Sequence, residues 1–366
     1  MTESTRTQLI SYIAPSAPAT RRPATGEEPF MRPEIGFTPQ WYRHETGVDF
    51  GEQWHNDPAY RIQSIVKMAR RLKKKFGTVN IGNVENAEEP SDILTGTFGA
   101  SFVASLYGVP IDYQENNWPW STHHHLSGEE VAKLEPPDLD NNPFFNDFLR
   151  QVDWIQRERG RVEGYINWQG VINNAYRIRG EKLFLDMVME PERARHLFAC
   201  VTSTMIEGAK RLYKIQKESG VTVEHFTVSN CLVNMVSPDH YQDLLLPCDR
   251  EIAEAFGTIG VHNCAWNANP YIDHYAELPG LAYVDMGMES ELPRAQQAFS
   301  SPRRAIMYTP MDVANKSSEE ILNDLESIAR DYGACDIVFA DNEMGTPDER
   351  ILELVKFCEQ ISEKAS

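Results

Sequence analysis

Short apolar stretches alternate with amphipathic stretches along most of the chain. The first strong helical pattern covers residues 59–76, where apolar positions recur every three or four residues, and it leads into a strand at residues 78–81. Later runs rich in β-branched and aromatic residues predict strands at 109–113, 164–168, 226–228, 258–262, 281–285, 305–308 and 336–340. Amphipathic patterns between many of these runs predict helices at 182–216 (broken near Pro191), 238–256, 270–278, 317–332 and 347–363.

This alternation predicts an α/β protein with a parallel sheet, because strands covered by helices on both faces carry nearly continuous apolar runs. About eight such strands fit a closed (β/α)8 TIM barrel better than an open sheet. Residues 1–60 are rich in proline, threonine, glutamate and aromatic residues and lack the alternation. We therefore expect an N-terminal extension or cap over residues 1–60 and the barrel over residues 61–366.

Composition narrows the possible functions. The 35 lysines and arginines stand against 54 aspartates and glutamates, a net charge of −19 that repels phosphate backbones and anionic lipids. Nucleic-acid binding and membrane association are therefore disfavoured. The chain has no signal-like start and no long apolar segment, so a cytoplasmic protein is predicted. Six cysteines occur singly without a CxxC pair, which indicates free thiols rather than disulfides.

One strand ends in a pair of candidate metal ligands. Residues 257–264 read Gly-Thr-Ile-Gly-Val-His-Asn-Cys, an apolar strand closed by His262 and Cys264. Side chains two positions apart point to the same side of a strand, and TIM barrels carry their chemistry at the carboxyl ends of the strands. The pair is either part of a zinc site or a buried histidine beside a packed thiol.

Further ligands are sought at the ends of other predicted strands. Candidates there are Cys231, Asp285, and Asp341 with Glu343. Cys335 is less attractive because it precedes its strand, and the remaining cysteines fall in predicted helix cores.

Substrate contacts are predicted from less regular stretches. Trp118 and Trp120 lie in the irregular segment 114–142 and either close over a substrate as a mobile lid or pack within their own loop. Arg177 either binds an anion or pairs with surface carboxylates. Asn230, next to Cys231, is a further substrate-binding candidate.

Several spaced motifs occur in the same order as in one known superfamily. From about Trp54 onward the chain resembles the uroporphyrinogen decarboxylase-like superfamily, and within it the cobalamin-dependent methyltransferases. The resemblance rests on Arg179-Gly-x-x-x-Phe184-x-Asp186-x-x-x-x-Pro191-Glu192, Met235-Val-Ser237-Pro238-x-x-Tyr241-x-x-x-x-x-Pro247, His262-x-Cys264 and Gly345-Thr346-Pro347. It implies a (β/α)8 barrel with its pocket at the carboxyl ends of the strands.

The same resemblance separates two branches. Decarboxylases of the superfamily carry an N-terminal Arg-Gln-Ala-Gly-Arg-Tyr segment that engages substrate carboxylates, whereas this chain has only Phe30-Met-Arg32-Pro in the corresponding region. The methyltransferase branch implies zinc held by His-x-Cys and a later cysteine, which is missing from residues 340–347. Asp341 or Glu343 is expected to complete the zinc site with His262 and Cys264; otherwise the metal has been lost.

The resemblance thus implies a methyltransferase with His262, Asp285 and Glu343 as catalytic residues. It would move a methyl group between a small methylated ether, amine or thiol, or tetrahydrofolate, and a corrinoid carried by a partner protein. Two alternatives stay open: a lyase of the same fold without metal, and a non-catalytic binding barrel. A homodimer also stays open.

Overall fold

A six-stranded parallel sheet forms the centre of the molecule. The computed structural model describes residues 21–79, 81 and 88–365. The strand order is β1-β8-β7-β6-β5-β4. These strands are β1 (Met31–Phe37), β4 (Phe226–Ser229), β5 (Ile259–His262), β6 (Leu281–Gly287), β7 (Arg303–Tyr308) and β8 (Cys335–Asn342). Two short strands, β2 (Ile111–Asp112) and β3 (Trp120–Ser121), form a separate antiparallel hairpin.

Helices cover the sheet, as the amphipathic patterns predict. In chain order they are α1 (Pro39–Thr46), α2 (Glu52–Asn56), α3 (Pro58–Phe76), α4 (Phe102–Leu106), α5 (Gly128–Ala132), α6 (Pro143–Arg159), α7 (Val171–Arg179), α8 (Lys182–Met189), α9 (Pro191–Glu218), α10 (Pro238–His240), α11 (Leu246–Phe256), α12 (Ile272–Ala276), α13 (Leu292–Ala298), α14 (Pro310–Asn315), α15 (Ser318–Tyr332) and α16 (Asp348–Ala365). A 3₁₀ turn (Val233–Met235) precedes α10, and a π-helical segment (Tyr241–Leu245) joins α10 to α11. The predicted break near Pro191 separates α8 from α9, and a capping box at Ser317 starts α15. None of the described helices combines the length and the apolar character that a membrane crossing requires.

The strand register has the stagger of a barrel. Register partners on neighbouring strands form one row across the sheet. The row begins at the last residue of β4 and ends near the start of β1. Such a shift along the strands is what closing a sheet into a barrel requires, and the first and last strands, β1 and β8, lie side by side. The fold is therefore TIM-barrel-like, as predicted. The row consists of Ser229, His262, Asp285, Ala305, Asp336 and Arg32.

The structure departs from the predicted strand set in three places. Strand β1 lies inside the segment assigned to an N-terminal extension, so the expected boundary near residue 60 does not separate extension from sheet. Residues 109–113 contribute only to the β2–β3 hairpin. Residues 164–168 form no regular ladder, yet they lie beside β4, where the Tyr165 hydroxyl donates to the Thr227 carbonyl over 3.1 Å. Part of the predicted strand 78–81 falls outside the described residues.

The amino ends of β1, β7 and β8 enclose a buried ion network. Asp336 is fully buried and accepts hydrogen bonds from Arg32 at 2.9 and 2.7 Å, and from Arg303. Glu34 lies 3.4 Å from Arg32, and both of its oxygens lack a hydrogen-bond donor among the described residues. Burial and the neighbouring Asp336 raise the pKa of Glu34 to about 8, so it is mostly protonated at neutral pH. The Asp336 carboxylate is therefore the negative charge that pairs with the guanidinium groups of both Arg32 and Arg303.

We predict that Asp336→Asn destabilises the fold. The substitution leaves two buried cations without their carboxylate, and Glu34 compensates only in part by ionising. The expected loss is about 3 kcal/mol in the free energy of unfolding, at the lower end for a broken buried ion pair. Urea unfolding measures it.

Asp331→Asn is the matched control, because Asp331 accepts two 2.8 Å hydrogen bonds from Arg330 in the same two-pronged geometry but on the surface. Exposed pairs contribute little, so this variant should unfold like the unaltered protein. Equal urea midpoints for the two variants would contradict a structural role of the buried network.

Candidate metal centre

Three side chains with metal-binding atoms converge at the carboxyl ends of β4 and β5. The ligand atoms of Cys231, His262 and Cys264 all lie within 4.8 Å of one another. His262 is the last residue of β5, and Ser229, the last residue of β4, is its register partner. Because β4 and β5 are adjacent parallel strands whose last residues are paired, the residues that follow both strands lie at the same rim. Cys231 and Cys264 therefore meet beside His262.

The imidazole of His262 has a fixed orientation. Its Nδ1–H donates to the Asp285 carboxylate, with distances of 2.9 and 2.7 Å to the two oxygens. Asp285 is the register partner of His262 on β6, and both side chains are buried. Because an ionised carboxylate can only accept, Nδ1 carries a proton, and Nε2 is the nitrogen left to bind a metal when the ring is neutral. This arrangement is typical of metal-binding histidines, whose second nitrogen is held by a carboxylate.

The Asp285 carboxylate is itself surrounded by donors. It accepts hydrogen bonds from the Tyr283 hydroxyl at 3.0 Å and from the backbone N–H of Cys264 at 3.2 Å. The Nε atom of Arg21 lies 3.8 Å from Oδ2. The Asp285 carboxylate thus accepts hydrogen bonds from both the His262 ring and the backbone of Cys264.

The two thiols influence each other. A hydrogen bond from Cys264 lowers the pKa of Cys231 well below its usual range despite burial, and His262 adds to the lowering. The same contact, together with burial, raises the pKa of Cys264 well above its usual range. Of the two thiols, Cys231 is therefore the one that carries negative charge more readily. A divalent cation between them would stabilise both as thiolates.

Burial lowers the pKa of His262, and Arg21 acts in the same direction. Asp285 and the Cys231 thiolate outweigh them, so the pKa of His262 is raised overall. Both negative groups therefore favour a positive charge at the imidazole or beside it.

Backbone strain marks the same rim. Cys264 has φ +63°, Asp341 has φ +57° and Gln169 has φ +58°, in the left-handed region that non-glycine residues seldom adopt. Such strain concentrates at functional sites. At the end of β6, a Cβ on Gly287 would lie 2.2 Å from the Ala265 carbonyl oxygen. Only glycine therefore lets the segment after Cys264 fold back onto β6.

The expected carboxylate ligands are not part of the cluster. Asp341 is the penultimate residue of β8 and Glu343 follows that strand, which lies three strands from β5. Cys231, in contrast, follows the adjacent strand β4. Glu343 is exposed. Asp341 is partly buried, and burial and Glu343 raise its pKa to about 6, although the charge of His262 acts in the opposite direction. The third side chain close to His262 and Cys264 is therefore that of Cys231, one of the candidates that the sequence offered.

The cluster fits a zinc ion. Bond lengths of about 2.0–2.3 Å place tetrahedral zinc ligands roughly 3.5–3.8 Å apart. Since the three donor atoms lie within 4.8 Å, movements of about 1 Å would bring them to that spacing. Two thiolates and one imidazole are also the kind of ligands that zinc prefers, and three protein ligands leave a fourth position open.

Other predicted site residues have different surroundings. Trp118 is only 6% exposed and packs edge-on against Phe50 and Trp54, so its prediction as part of a mobile lid is wrong. It belongs to the core because the β2–β3 turn folds its ring inward. Trp120 is 54% exposed and donates from its indole N–H to Asp112 within the hairpin. A contact between Trp120 and a substrate stays a prediction.

Asn230 connects the sheet to a helix, and its contact with a substrate stays a prediction. Its side-chain amide donates to Asp249 at 2.9 Å, its backbone N–H donates to the His262 carbonyl, and it is 2% exposed. Arg177 is partly buried and donates to the Asn173 carbonyl. Burial lowers the pKa of Arg177, and the negative charge of Cys231 opposes that shift, so the guanidinium lies close enough to interact with the cluster.

Comparisons with known proteins agree with this fold. A methyltransferase from Methanosarcina mazei has a similar structure, with a TM-score of 0.64 and 14% identity over 89% of this chain and 91% of that chain. A B12-independent methionine synthase from a Shewanella species, in complex with selenomethionine, covers 87% of this chain and 96% of that chain at 11% identity. Its TM-score is 0.43. No curated protein is a significant match by sequence.

The family comparison is more direct. The model of the family described as uroporphyrinogen decarboxylase (URO-D) matches residues 60–330, which is most of the chain. This range includes strands β4 to β7 and the whole Cys231, His262 and Cys264 cluster. The chain therefore belongs to the uroporphyrinogen decarboxylase (URO-D) family.

Proposed function

We propose that this protein is a methyltransferase that works with a zinc ion bound by Cys231, His262 and Cys264. The observation that carries the proposal is the buried group of two thiols and an oriented imidazole at the carboxyl rim of a URO-D barrel. Zinc bound in this way keeps one position for a substrate, where it can lower the pKa of a thiol or polarise a leaving group.

Methyl transfer has better support than porphyrinogen decarboxylation. Decarboxylation of a substrate with several carboxylates calls for free cationic groups in the pocket. Arg32, which lies in the segment that corresponds to the arginine motif of the decarboxylases, is paired with Asp336, and Arg303 is paired with the same carboxylate. Neither guanidinium is available to a substrate without breaking a buried ion pair.

Two residues near the cluster are suited to contact the substrate. Arg177 would bind an anionic part of it, because its guanidinium lies close to Cys231 and has N–H groups besides the one that donates to Asn173. Asp341 would exchange a proton with the leaving group. Its pKa of about 6 lies close to neutral pH, where general acids and bases are most efficient.

A corrinoid protein remains the proposed partner, and the outer surface of the rim supports it. Four large apolar side chains are exposed in the segments that follow β4, β5, β7 and β8. They are Met235 (61% exposed), Trp266 (50%), Met311 (73%) and Met344 (55%). Apolar groups exposed together on one face are typical of protein contact sites. A partner that carries the methyl acceptor would have to reach the cluster from this face, because helices cover the outside of the sheet.

We predict that the purified protein binds about one zinc ion per chain. Cys231→Ser and Cys264→Ser should each lower zinc affinity by more than about 100-fold, beyond the usual effect of residues outside the ligand set. Elemental analysis and competition with a chromophoric chelator measure the affinity, and circular dichroism checks the fold. Cys248→Ser is the matched control, since Cys248 is a partly buried thiol on α11. Unchanged zinc content in both site variants would reject the proposed metal centre.

We predict that Asp341→Asn slows methyl transfer while zinc stays bound. Loss of a positioned proton donor or acceptor typically costs about 10²–10⁴-fold in rate. The assay offers methylated thiols, amines and ethers to the protein with reduced cobalamin as the methyl acceptor. Glu343→Gln removes the exposed negative charge that helps to raise the pKa of Asp341, so it should leave zinc bound and move the pH dependence of the rate to lower pH. Loss of zinc in Asp341→Asn would instead identify Asp341 as a ligand.

A further inference from the structure

Arg21 places a buried positive charge inside the barrel, close to the metal centre but outside the ligand group. The side chain is 3% exposed. One guanidinium nitrogen, Nη1, donates to the Ser229 hydroxyl at 2.8 Å, and Nε lies 3.8 Å from Oδ2 of Asp285. Among the described residues, Nε and Nη2 have no hydrogen-bond acceptor. A buried guanidinium requires a nearby anion, and Asp285 is the carboxylate within ion-pair distance.

The backbone of Arg21 is fixed near the start of β4. Its carbonyl oxygen accepts hydrogen bonds from the Thr227 hydroxyl at 2.9 Å and from the His225 ring at 2.7 Å. Gly260 on β5 leaves the necessary space, since a Cβ there would lie 2.6 Å from the Thr227 hydroxyl and 2.9 Å from the His225 ring. The side chain therefore reaches from the amino end of β4 to its last residue, Ser229, and to Asp285.

Arg21 differs from the other groups around Asp285 in its origin and its charge. The hydrogen-bond donors to Asp285 are the His262 ring, the Tyr283 hydroxyl and a backbone N–H, all supplied by β5, β6 and the turn after β5. Arg21 alone comes from a distant part of the chain, and it contributes a full charge. A separation of 3.8 Å is too long for a hydrogen bond but short enough for strong attraction in a buried setting.

We propose that Arg21 is a positioning residue for the metal centre. Its charge holds the Asp285 carboxylate in the orientation that accepts the Nδ1–H of His262, and this keeps Nε2 directed at the cluster. The N-terminal segment thereby becomes part of the site. The effect on zinc rests on the function proposed above, whereas the effect on the histidine rests only on the contacts among Arg21, Asp285 and His262.

The test compares Arg21→Ala with Arg22→Ala. Arg22 is adjacent, carries the same charge and is exposed, so it controls for the net charge and for its place in the sequence. The first readout is the ¹⁵N NMR spectrum of the metal-free protein labelled at histidine. We expect His262 to be protonated at Nδ1 in the unaltered protein and in Arg22→Ala, and to show mixed tautomers with faster proton exchange in Arg21→Ala.

The second readout is zinc affinity, measured by chelator competition. Arg21→Ala should lower it about 10-fold, within the 10–100-fold range typical of residues that orient a ligand from outside the metal shell. Added methylguanidinium should restore both the tautomer and the affinity, because it can fill the space that the side chain leaves. A residue with a general role in stability would not be rescued in this way.

Arg21→Gln is the second variant, for use if Arg21→Ala does not fold. It can still donate to Ser229 but carries no charge, so it should reproduce the tautomer and affinity changes. An unchanged His262 spectrum and unchanged zinc affinity in either folded variant would overturn the proposal. If the unaltered protein binds no zinc but the His262 tautomer still depends on Arg21, the proposed metal function fails while the positioning role stands.

Discussion

The site depends on a single negative charge kept away from water. Asp285 is completely buried, and a carboxylate in that position is stable only when donors surround it. The imidazole of His262, the hydroxyl of Tyr283 and the backbone of Cys264 supply those donors, with the guanidinium of Arg21 nearby. Each of these groups is held in place by the need to satisfy the same carboxylate. The direction of His262 Nε2, and with it the geometry of the cluster, follows from this constraint.

Much of the fold could be predicted from the sequence. The apolar runs of β4 to β8 and the helices between them have the periodicity of a parallel α/β barrel, and the URO-D match agrees. Strand β1 was missed because its seven residues, Met31–Phe37, contain a proline and two charged residues that point into the barrel. Inward-facing charges remove the apolar run on which a strand prediction depends. Here they are stable because Arg32 finds Asp336 on the neighbouring strand.

The candidate site was predictable only where its residues are local in sequence. His262 and Cys264 lie two positions apart, so strand geometry alone places them on one face. The choice between Cys231 and Asp341 as the third donor depends on which strand is next to β5, and periodicity along the chain carries no information about neighbours around a barrel. Arg21 gave no signal at all, because it lies in a segment without regular pattern. For Trp118 the irregular sequence pattern predicted a mobile lid, but an irregular loop can still insert a ring into the core, as Trp118 does against Trp54.

The pairing of β1 with β8 has a consequence for how the molecule forms. Arg32 and Asp336 are 304 positions apart, so the barrel cannot close until nearly the whole chain has been synthesised. Until then β1 and β7 both have unpaired edges, and the charges of β1 lack their partner. Contacts over such distances slow folding, and open edges invite association with other chains. An incomplete chain that ends before β8 should therefore persist as an aggregation-prone intermediate, and a chaperone that binds strand edges would have most effect late in synthesis.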